Sequence, residues 1–350
     1  MTDPLVESAQ RLFAAHCGKE VLKRAADGVF PAALWGAVVE AGFAAALLPE
    51  VAGGFGATTA EAMGLLQVSA EHCAPIPLAE TMLAGLLLSG AGLPVPEGAL
   101  TVAPVRLRDT LMLRRGERGW HLAGSAARVP WARDVATIAV LADGPDGPLV
   151  ASVPREGLIV THDVNLAGEP RDTVMFDTDL PLDAVAVPGV FDRRQLRAAG
   201  ACLRTVQIAG ALSRTLTLSV TYAQTRVQFG RAIGKFQAVQ QNLAVLAGQS
   251  AAAIAAADMA ADALATGLPP LRVGAAKARA GEAASIAAGL AHQAHGAIGF
   301  TQEYELHFAT RRLWSWRDEF GNEAEWNAVV GRAALHAGPD ALWPTLTHAA

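Results

Sequence analysis

The sequence predicts a mainly helical chain interrupted by a central β region, and three observations carry that reading. Alanine supplies much of an apolar content of 52%, while aromatic residues make up only 6%, a balance that favours closely packed helices. The period of the apolar residues changes twice along the chain, from helical to strand-like and back. At 350 residues the chain also exceeds one hydrophobic core, so two or three packed units are expected.

The elements follow in order. Apolar residues recur at helical spacing through Leu5, Leu12 and Phe13, then through Leu34, Val38, Val39 and Phe43, and again from Ala60 to Leu66. Pro49 with Gly53, Gly54 and Gly56 breaks this pattern with a loop. From about Leu100 to Pro188, short β-prone runs such as 137–141 and 149–153 alternate with turns, of which Asp143-Gly144-Pro145-Asp146-Gly147 is the clearest. Short strands at such spacing predict a compact barrel or sandwich. Beyond Pro188 the helical period returns and is strongly broken once, at Gly267-Leu268-Pro269-Pro270, between two long helices; that is the texture of a helical bundle. The expected division is an N-terminal helical domain over 1–98, a middle β domain over 99–188 and a C-terminal helical bundle domain over 189–350.

Charge and cysteine usage exclude several function classes. A formal net charge of -5 without a Lys/Arg run argues against a nucleic-acid partner or an anionic membrane surface. Met1-Thr2-Asp3-Pro4 lacks the basic and apolar regions of a secretory signal. The apolar stretch 82–94 is glycine-interrupted and shorter than the roughly 20 residues a membrane span takes, and the alanine-rich stretch from Ala251 carries Asp258 and Asp262. Neither is read as a span. Cys17, Cys73 and Cys202 lie far apart without metal-ligand spacing, so buried thiols in a reduced cytoplasmic location are expected.

Three motifs are weak imitations. The segment from Gly230 to Phe236 looks like a phosphate loop, but it is one residue short between its glycines and has Phe236 where a magnesium-binding hydroxyl must stand. Gly53-Gly54-Phe55-Gly56 lacks the third glycine and the βαβ setting of a dinucleotide fingerprint. His292 and His295 are three apart on a helix but have no third ligand at suitable spacing, so no metal is expected and hydrogen-bonded helix-end histidines are the better reading.

The informative segments lie in the last zone. Residues Tyr222-Ala223-Gln224-Thr225-Arg226-Val227-Gln228-Phe229-Gly230-Arg231-Ala232-Ile233-Gly234-Lys235-Phe236-Gln237 resemble the helix-turn-helix signature of the acyl-CoA dehydrogenase family. A second, independent segment, Gln293-Ala294-His295-Gly296-Ala297-Ile298-Gly299-Phe300-Thr301-Gln302-Glu303-Tyr304, is similar to that family's glutamine-and-glycine loop and is followed by His307, Arg311 and Arg312. In the amino-terminal third, Leu48-Pro49-Glu50 with Gly53-Gly54-Phe55-Gly56 resembles the family's early loop. The resemblance covers nearly the whole chain, and it implies a middle β-barrel and a C-terminal four-helix bundle.

The resemblance also implies FAD as cofactor, an acyl-CoA thioester as substrate and reoxidation by an electron-transfer flavoprotein. Arg226 matches the arginine that reaches a neighbouring subunit's FAD, and a guanidinium fork suits a pyrophosphate. Phe229 and Ile233 match an apolar wall beside it, and Gln237 an amide for polar cofactor atoms. Gln293, Gly296 and Gly299 match positions where backbone approaches the adenosine half. Taken singly, Arg226 reads as a surface or ion-paired arginine, and Gly296 and Gly299 as a helix stop.

Dehydrogenation of an acyl thioester needs a carboxylate for the α-proton while the β-hydrogen leaves as hydride. Here the sequence departs from the family's pattern. Phe320, before Gly321, falls on the family's glutamate, and at the alternative place on the preceding helix stand Gly200 and Ala201. Asp318, Glu319, Glu323 and Glu325 are the nearest carboxylates; Asn322 and Glu325 form a capping box, which leaves Glu319 as the residue to test as a base. The family's flavin and acyl-CoA contacting loop is replaced by Val102-Ala103-Pro104-Val105-Arg106-Leu107-Arg108-Asp109, and Trp131 matches either the family's flavin-contacting tryptophan or a core aromatic. The motifs retained are those that act on a neighbouring subunit, which suggests one half of a heteromeric dehydrogenase, a tetramer with a related subunit that supplies the base. A self-sufficient homo-oligomer using Glu319 and a structural or regulatory subunit remain the alternatives. Acyl chain length and steroid specificity are not readable.

Overall fold

The computed structural model of the chain describes residues 3–347. They fall into two compact units, Met1–Leu65 with Pro75–Gly200, and Leu66–Ala74 with Ala201–Ala350.

The chain begins with α1 (Pro4–His16), α2 (Lys19–Ala26), α3 (Ala32–Glu40), α4 (Thr59–Glu71) and α5 (Leu78–Gly90). Asp3 starts α1: its carboxylate accepts from the Leu5 N–H at 2.8 Å, and Pro4 occupies the first turn, where a missing N–H costs nothing. Thr58 and Glu61 form a reciprocal capping box at α4, with Thr58 N to Glu61 Oε2 at 2.7 Å and Glu61 N to Thr58 Oγ1 at 3.2 Å. The loop before α4 needs glycine at Gly54, where a Cβ would lie 1.8 Å from the Leu48 carbonyl oxygen.

A single mixed sheet follows, built from β1 (Leu100–Ala103), β2 (Leu111–Arg115), β3 (Trp120–Pro130), β4 (Thr137–Gly144), β5 (Gly147–Pro154), β6 (Ile159–Thr161), β7 (Arg171–Leu180) and β8 (Val185–Ala186). The strand order is β6-β7-β3-β2-β4-β5-β8, with β1 parallel to β4 in the register Leu100 to Thr137. The first six residues of β4 are all buried, which explains why its sequence is continuously apolar rather than alternating. Gly144 pairs with Gly147 across a two-residue hairpin turn at Pro145-Asp146, where the sequence placed its clearest turn. Helix α5 sits on this sheet with most of its side chains buried; the Thr81 hydroxyl accepts from Leu100 N at 3.1 Å and donates to Leu100 O at 3.2 Å.

The second unit is helical. Its long elements are α6 (Arg193–Thr225), α7 (Gln237–Ala265), α8 (Pro270–His295), α9 (Leu306–Trp316) and α10 (Glu323–Thr347). Asp192 and Gln195 cap α6 reciprocally, at 3.0 Å and 2.8 Å. Helices α7 and α8 meet through buried alanines, among them Ala253, Ala257, Ala260, Ala280, Ala284 and Ala287, because small side chains let two backbones approach closely. By length and composition α7 could cross a bilayer, and 33% of its most apolar window is buried inside the chain. The expected capping box at α10 is formed, with Asn322 N to Glu325 Oε2 and Glu325 N to Asn322 Oδ1 both at 3.1 Å; α10 then kinks at Gly338, ahead of Pro339.

The predicted fold class is the one observed: helices at both ends and a strand-rich middle, with the period changes falling between α5 and β1 and between β8 and α6.

Candidate functional site

Two features of the helical unit carry the residues singled out by the sequence. The first is a hairpin between α6 and α7, made of β9 (Val227–Gln228) and β10 (Arg231–Ala232). Gln228 pairs with Arg231 and Val227 with Ala232, leaving Phe229-Gly230 as a two-residue turn in which both φ angles are positive, 52° and 78°. Such a turn matches the right-handed twist of the strands; Gly230 adopts it freely and Phe229 does so under strain. The base of the hairpin closes through Ile233 N to Arg226 O at 2.8 Å. The Phe236 ring braces the tip, with the Arg231 guanidinium 4.2 Å from its centroid and Phe229 edge-on at 6.1 Å. Gln240 Nε2 ties the following turn to the Gly234 carbonyl at 2.9 Å.

The hairpin projects its functional groups. Phe229 is 91% exposed, Arg226 and Gln237 are exposed, and Ile233 is half-buried. Among the described residues the Arg226 side chain has no carboxylate partner. A large exposed aromatic held in a strained turn beside an exposed guanidinium is costly to maintain for an isolated chain and suits a surface that engages another molecule.

The second feature is the end of α8 and the loop after it. Gln293 is exposed on the last turn. Gly296 terminates the helix at φ 62°, ψ -143°, a conformation that only glycine adopts without strain. Gly299 is buried, and a Cβ there would meet the His295 Cβ at 3.0 Å and both His292 Nδ1 and Leu306 Cδ2 at 3.3 Å. Internal packing therefore demands glycine at 299. His292 and His295 have side-chain bonds, to the Thr310 hydroxyl at 2.9 Å and to the Ala291 carbonyl at 2.7 Å. The described residues hold no group of three metal-ligating side chains.

The turn at 317–321, where the resemblance leads one to expect a catalytic glutamate, is closed by internal contacts. Phe320 is 7% exposed, has φ 54° and accepts a bond to its carbonyl from the Trp326 indole at 3.1 Å. Gly200 and Ala201 are buried within α6. Glu319 turns onto α6, where its Oε2 accepts from Arg204 Nε at 2.7 Å; Arg204 is 2% exposed, and its guanidinium also donates to Gln207 and lies 5.7 Å from the Phe320 ring centroid. Lys277 of α8 reaches the same turn and donates to the carbonyls of Arg317 at 2.5 Å and Gly321 at 2.9 Å. Burial pulls this ammonium down to about 8, although Glu323, Glu319 and Asp318 favour its charged form. Sequence reasoning missed Arg204, Gln207 and Lys277. No local signal marks them, since Arg204 and Glu319 are 115 residues apart and each looks like an ordinary helical surface residue.

In the other unit, Trp131 is buried and packs edge-on against Phe30 at 6.3 Å. The segment after β1 is pinned by Asp109, whose Oδ2 accepts from Ala127 N at 2.9 Å and whose carbonyl accepts from Arg193 at 2.7 Å.

Comparison with known proteins places this geometry. Residues 2–92 match the acyl-CoA dehydrogenase N-terminal domain and residues 198–322 the acyl-CoA dehydrogenase C-terminal domain. The chain is 30% identical over 311 residues to the acyl-CoA dehydrogenase IpdE2 of Mycobacterium tuberculosis, a match that covers 88% of this chain and 89% of that protein. The chain belongs to the acyl-CoA dehydrogenase family. Two solved structures share the fold: the ChsE4-ChsE5 complex from Mycobacterium tuberculosis with a TM-score of 0.83 at 23% identity, covering 97% of this chain and 99% of that one, and a glutaryl-coenzyme A dehydrogenase bound to glutaryl-CoA with a TM-score of 0.83 at 20% identity, covering 97% of each. Acyl-CoA dehydrogenases are flavoproteins whose cofactor is FAD. The groups on the hairpin fit it: an exposed guanidinium without a carboxylate partner and an exposed amide can donate to a pyrophosphate, and an exposed ring offers an apolar face to aromatic rings.

Proposed function

We infer that this chain is one subunit of a heteromeric acyl-CoA dehydrogenase, acting in α,β-dehydrogenation of an acyl-CoA thioester with a related subunit that carries the base. The observation that carries this reading is the turn at 317–321. Phe320, which the resemblance aligns with the base, is buried, and the neighbouring carboxylate of Glu319 is bonded to a buried arginine. To serve as a base, Glu319 would have to give up its bond to the buried Arg204, which would keep Gln207 but lose this carboxylate, and breaking a largely buried pair is unfavourable. That argues against the self-sufficient homo-oligomer.

FAD, when bound, accepts the β-hydrogen as hydride. In this reading Arg226 neutralises its pyrophosphate, Phe229 and Ile233 cover an apolar flank, Gln237 meets polar atoms, and Gln293, Gly296 and Gly299 shape the adenosine side. All of these residues but the buried Gly299 are at least partly exposed on the hairpin and the end of α8, which in this reading offers them to a flavin held largely by the partner. The ChsE4-ChsE5 structure is, by its description, a complex of two components; the same organisation is proposed here, as a tetramer. A place in lipid metabolism, a cytoplasmic location, electron-transfer flavoprotein as acceptor, and domains bounded near residues 98 and 188 belong to the same reading.

The test is flavin stoichiometry. The chain is purified alone and after co-expression with a related subunit that has a glutamate at the position of Phe320, and FAD per chain is measured after desalting. The expected result is little FAD on the isolated chain and near-stoichiometric FAD on the complex. Full, tight loading of the isolated chain would overturn the partner-dependent reading, and a complex that forms without FAD would favour a structural subunit.

A further inference from the structure

The two histidines at the end of α8 have no role in the function proposed above, yet both are buried among aromatic rings. His292 lies between two rings, stacked on Phe300 at 4.4 Å and on Trp314 at 5.5 Å. His295 is stacked on Tyr222 at 4.5 Å and lies 4.9 Å from Tyr304. Phe300 closes the glycine loop and Tyr304 lies just beyond it, whereas Trp314 belongs to α9 and Tyr222 to α6. Each imidazole therefore adds a ring contact between the loop and a helix, beside the Tyr304 hydroxyl bond to the Leu218 carbonyl at 3.4 Å and the edge contact of Tyr304 on Tyr222 at 5.7 Å.

Hydrogen bonding fixes the protonation that this arrangement accepts. The Thr310 hydroxyl donates to the Leu306 carbonyl at 3.3 Å, so it accepts from His292 Nε2 at 2.9 Å. Nδ1 is left as a bare lone pair, buried without a partner and facing Gly299. A proton there would place a charged N–H in an enclosed site with no acceptor. His295 spends its Nδ1 proton on the Ala291 carbonyl at 2.7 Å. Burial lowers the affinity of both rings for a second proton; His295 adds to the effect at His292, and the carbonyls of Ala291 and Leu218 oppose it at His295. The ionisable groups around the pair are Tyr222 from α6 and Tyr304 from the loop, with the Arg214 to Glu305 ion pair beyond Tyr304. Among the described residues no carboxylate contributes to the protonation of either ring.

We propose that His292 and His295 are the positioning pair of the glutamine-glycine loop: as neutral rings they clamp residues 296–304 against α6 and α9, and their protonation in acid releases the loop. The sign follows from linkage. Both rings hold a proton less readily in the closed loop than when hydrated, so closure is complete above the ordinary histidine value of 6.5 and weakens as pH falls below it. Two protons entering one cluster should make the release steeper than a single titration. The consequence for the cofactor rests on the function proposed above: if the loop carries the adenosine side of FAD, acid should loosen FAD as it loosens the loop.

The loop itself is read first, without reference to FAD. Amide hydrogen exchange of residues 296–304 in the full chain is measured at pH 7.5 and pH 5.0, with labelling times scaled to the intrinsic exchange rate and amides of the α7 and α8 cores as internal reference. The expected result is at least a tenfold loss of loop protection at the lower pH with the reference unchanged. His292→Gln combined with His295→Gln, which keeps an amide donor near each partner but does not titrate, should give loop protection that no longer depends on pH. Should that variant not fold, the wild-type pH series with each single substitution gives the same reading, since each should flatten the transition. Wild-type protection that tracks the core down to pH 5.0, or an acid transition retained in the double variant, overturns the proposal. FAD retention by the assembled complex over the same pH range is read separately. A loop that opens while FAD stays bound supports the histidine clamp and removes the cofactor role assigned to the loop.

Discussion

Lys277 shows how a single residue can be costly and still have work to do. Its ammonium is enclosed by the helical unit and closes the turn at 317–321 through two carbonyls. With a value pulled from 10.5 to about 8, the folded chain gives up this proton before the unfolded chain does. Between those two pH values the unfolded state binds more protons, so stability rises with pH across that window, and below it the full cost of burying the charge is present. A fall of that size corresponds to a gain on the order of 3 kcal/mol once the proton has left. Urea unfolding of the wild type at pH 7.5, 8.5 and 9.5 should show this rise relative to Lys277→Met, whose profile lacks it. A wild-type profile parallel to that of the variant would mean that the ammonium is hydrated or fully compensated. Arg204 and Glu319 answer a different question at the same scale. The sequence left Glu319 as a base to test, and the ion pair to Arg204 supplies an occupation for it that no count along the chain could reveal.

At the scale of elements, the segment between α6 and α7 was marked by its resemblance to a helix-turn-helix signature, while its β-pairing was not read from the sequence. The Phe229-Gly230 turn is seen only in the structure, where both φ angles are positive, and the flanking helices announce themselves by period. Arg226→Ala should leave the hairpin intact, because its backbone bonds to Tyr222 and Ile233 remain at 2.8 Å each, and should weaken FAD retention in the assembled protein through lost phosphate contact. Flavin occupancy at micromolar protein after desalting measures this, with circular dichroism as the check on folding; unchanged occupancy would remove Arg226 from the cofactor site. The capping box at α10, the turn at Pro145-Asp146 and the break before Pro270 were legible because each is encoded by a few adjacent residues. What was not legible is long-range. The order of the sheet, with β1 parallel to β4 and β3 between β2 and β7, comes from packing choices that no short window contains. The reason for Gly299 is also tertiary, since two histidines and a leucine fill the space a side chain would need, although the resemblance had marked the position for approach to a cofactor.

At the scale of the whole chain, the losses and retentions fall on different kinds of surface. The residues proposed to serve the flavin, apart from buried Gly299 and half-buried Ile233, stand exposed on the hairpin and the glycine loop, while the position proposed for the missing base holds a buried phenylalanine in a turn held by Lys277, Arg204 and Trp326. A chain under selection to catalyse alone would keep the second set at least as carefully as the first. The isolated chain should therefore show little or no acyl-CoA dehydrogenation, because a missing general base costs about 10²–10⁴-fold in rate, and activity should appear on assembly with a related subunit that carries a placed glutamate. The measurement is anaerobic flavin bleaching with a panel of acyl-CoA thioesters, on the isolated chain with added FAD and on the complex. Glu319→Gln provides the internal control. Glu319 adjoins the required position, but an attack geometry tolerates only about 1 Å of error, and its carboxylate is directed at Arg204 instead. In the complex the substitution should leave the bleaching rate within a few-fold of wild type. Rapid stoichiometric bleaching by the isolated chain that disappears in Glu319→Gln would make this a self-sufficient enzyme and would require the Arg204 pair to break when substrate binds.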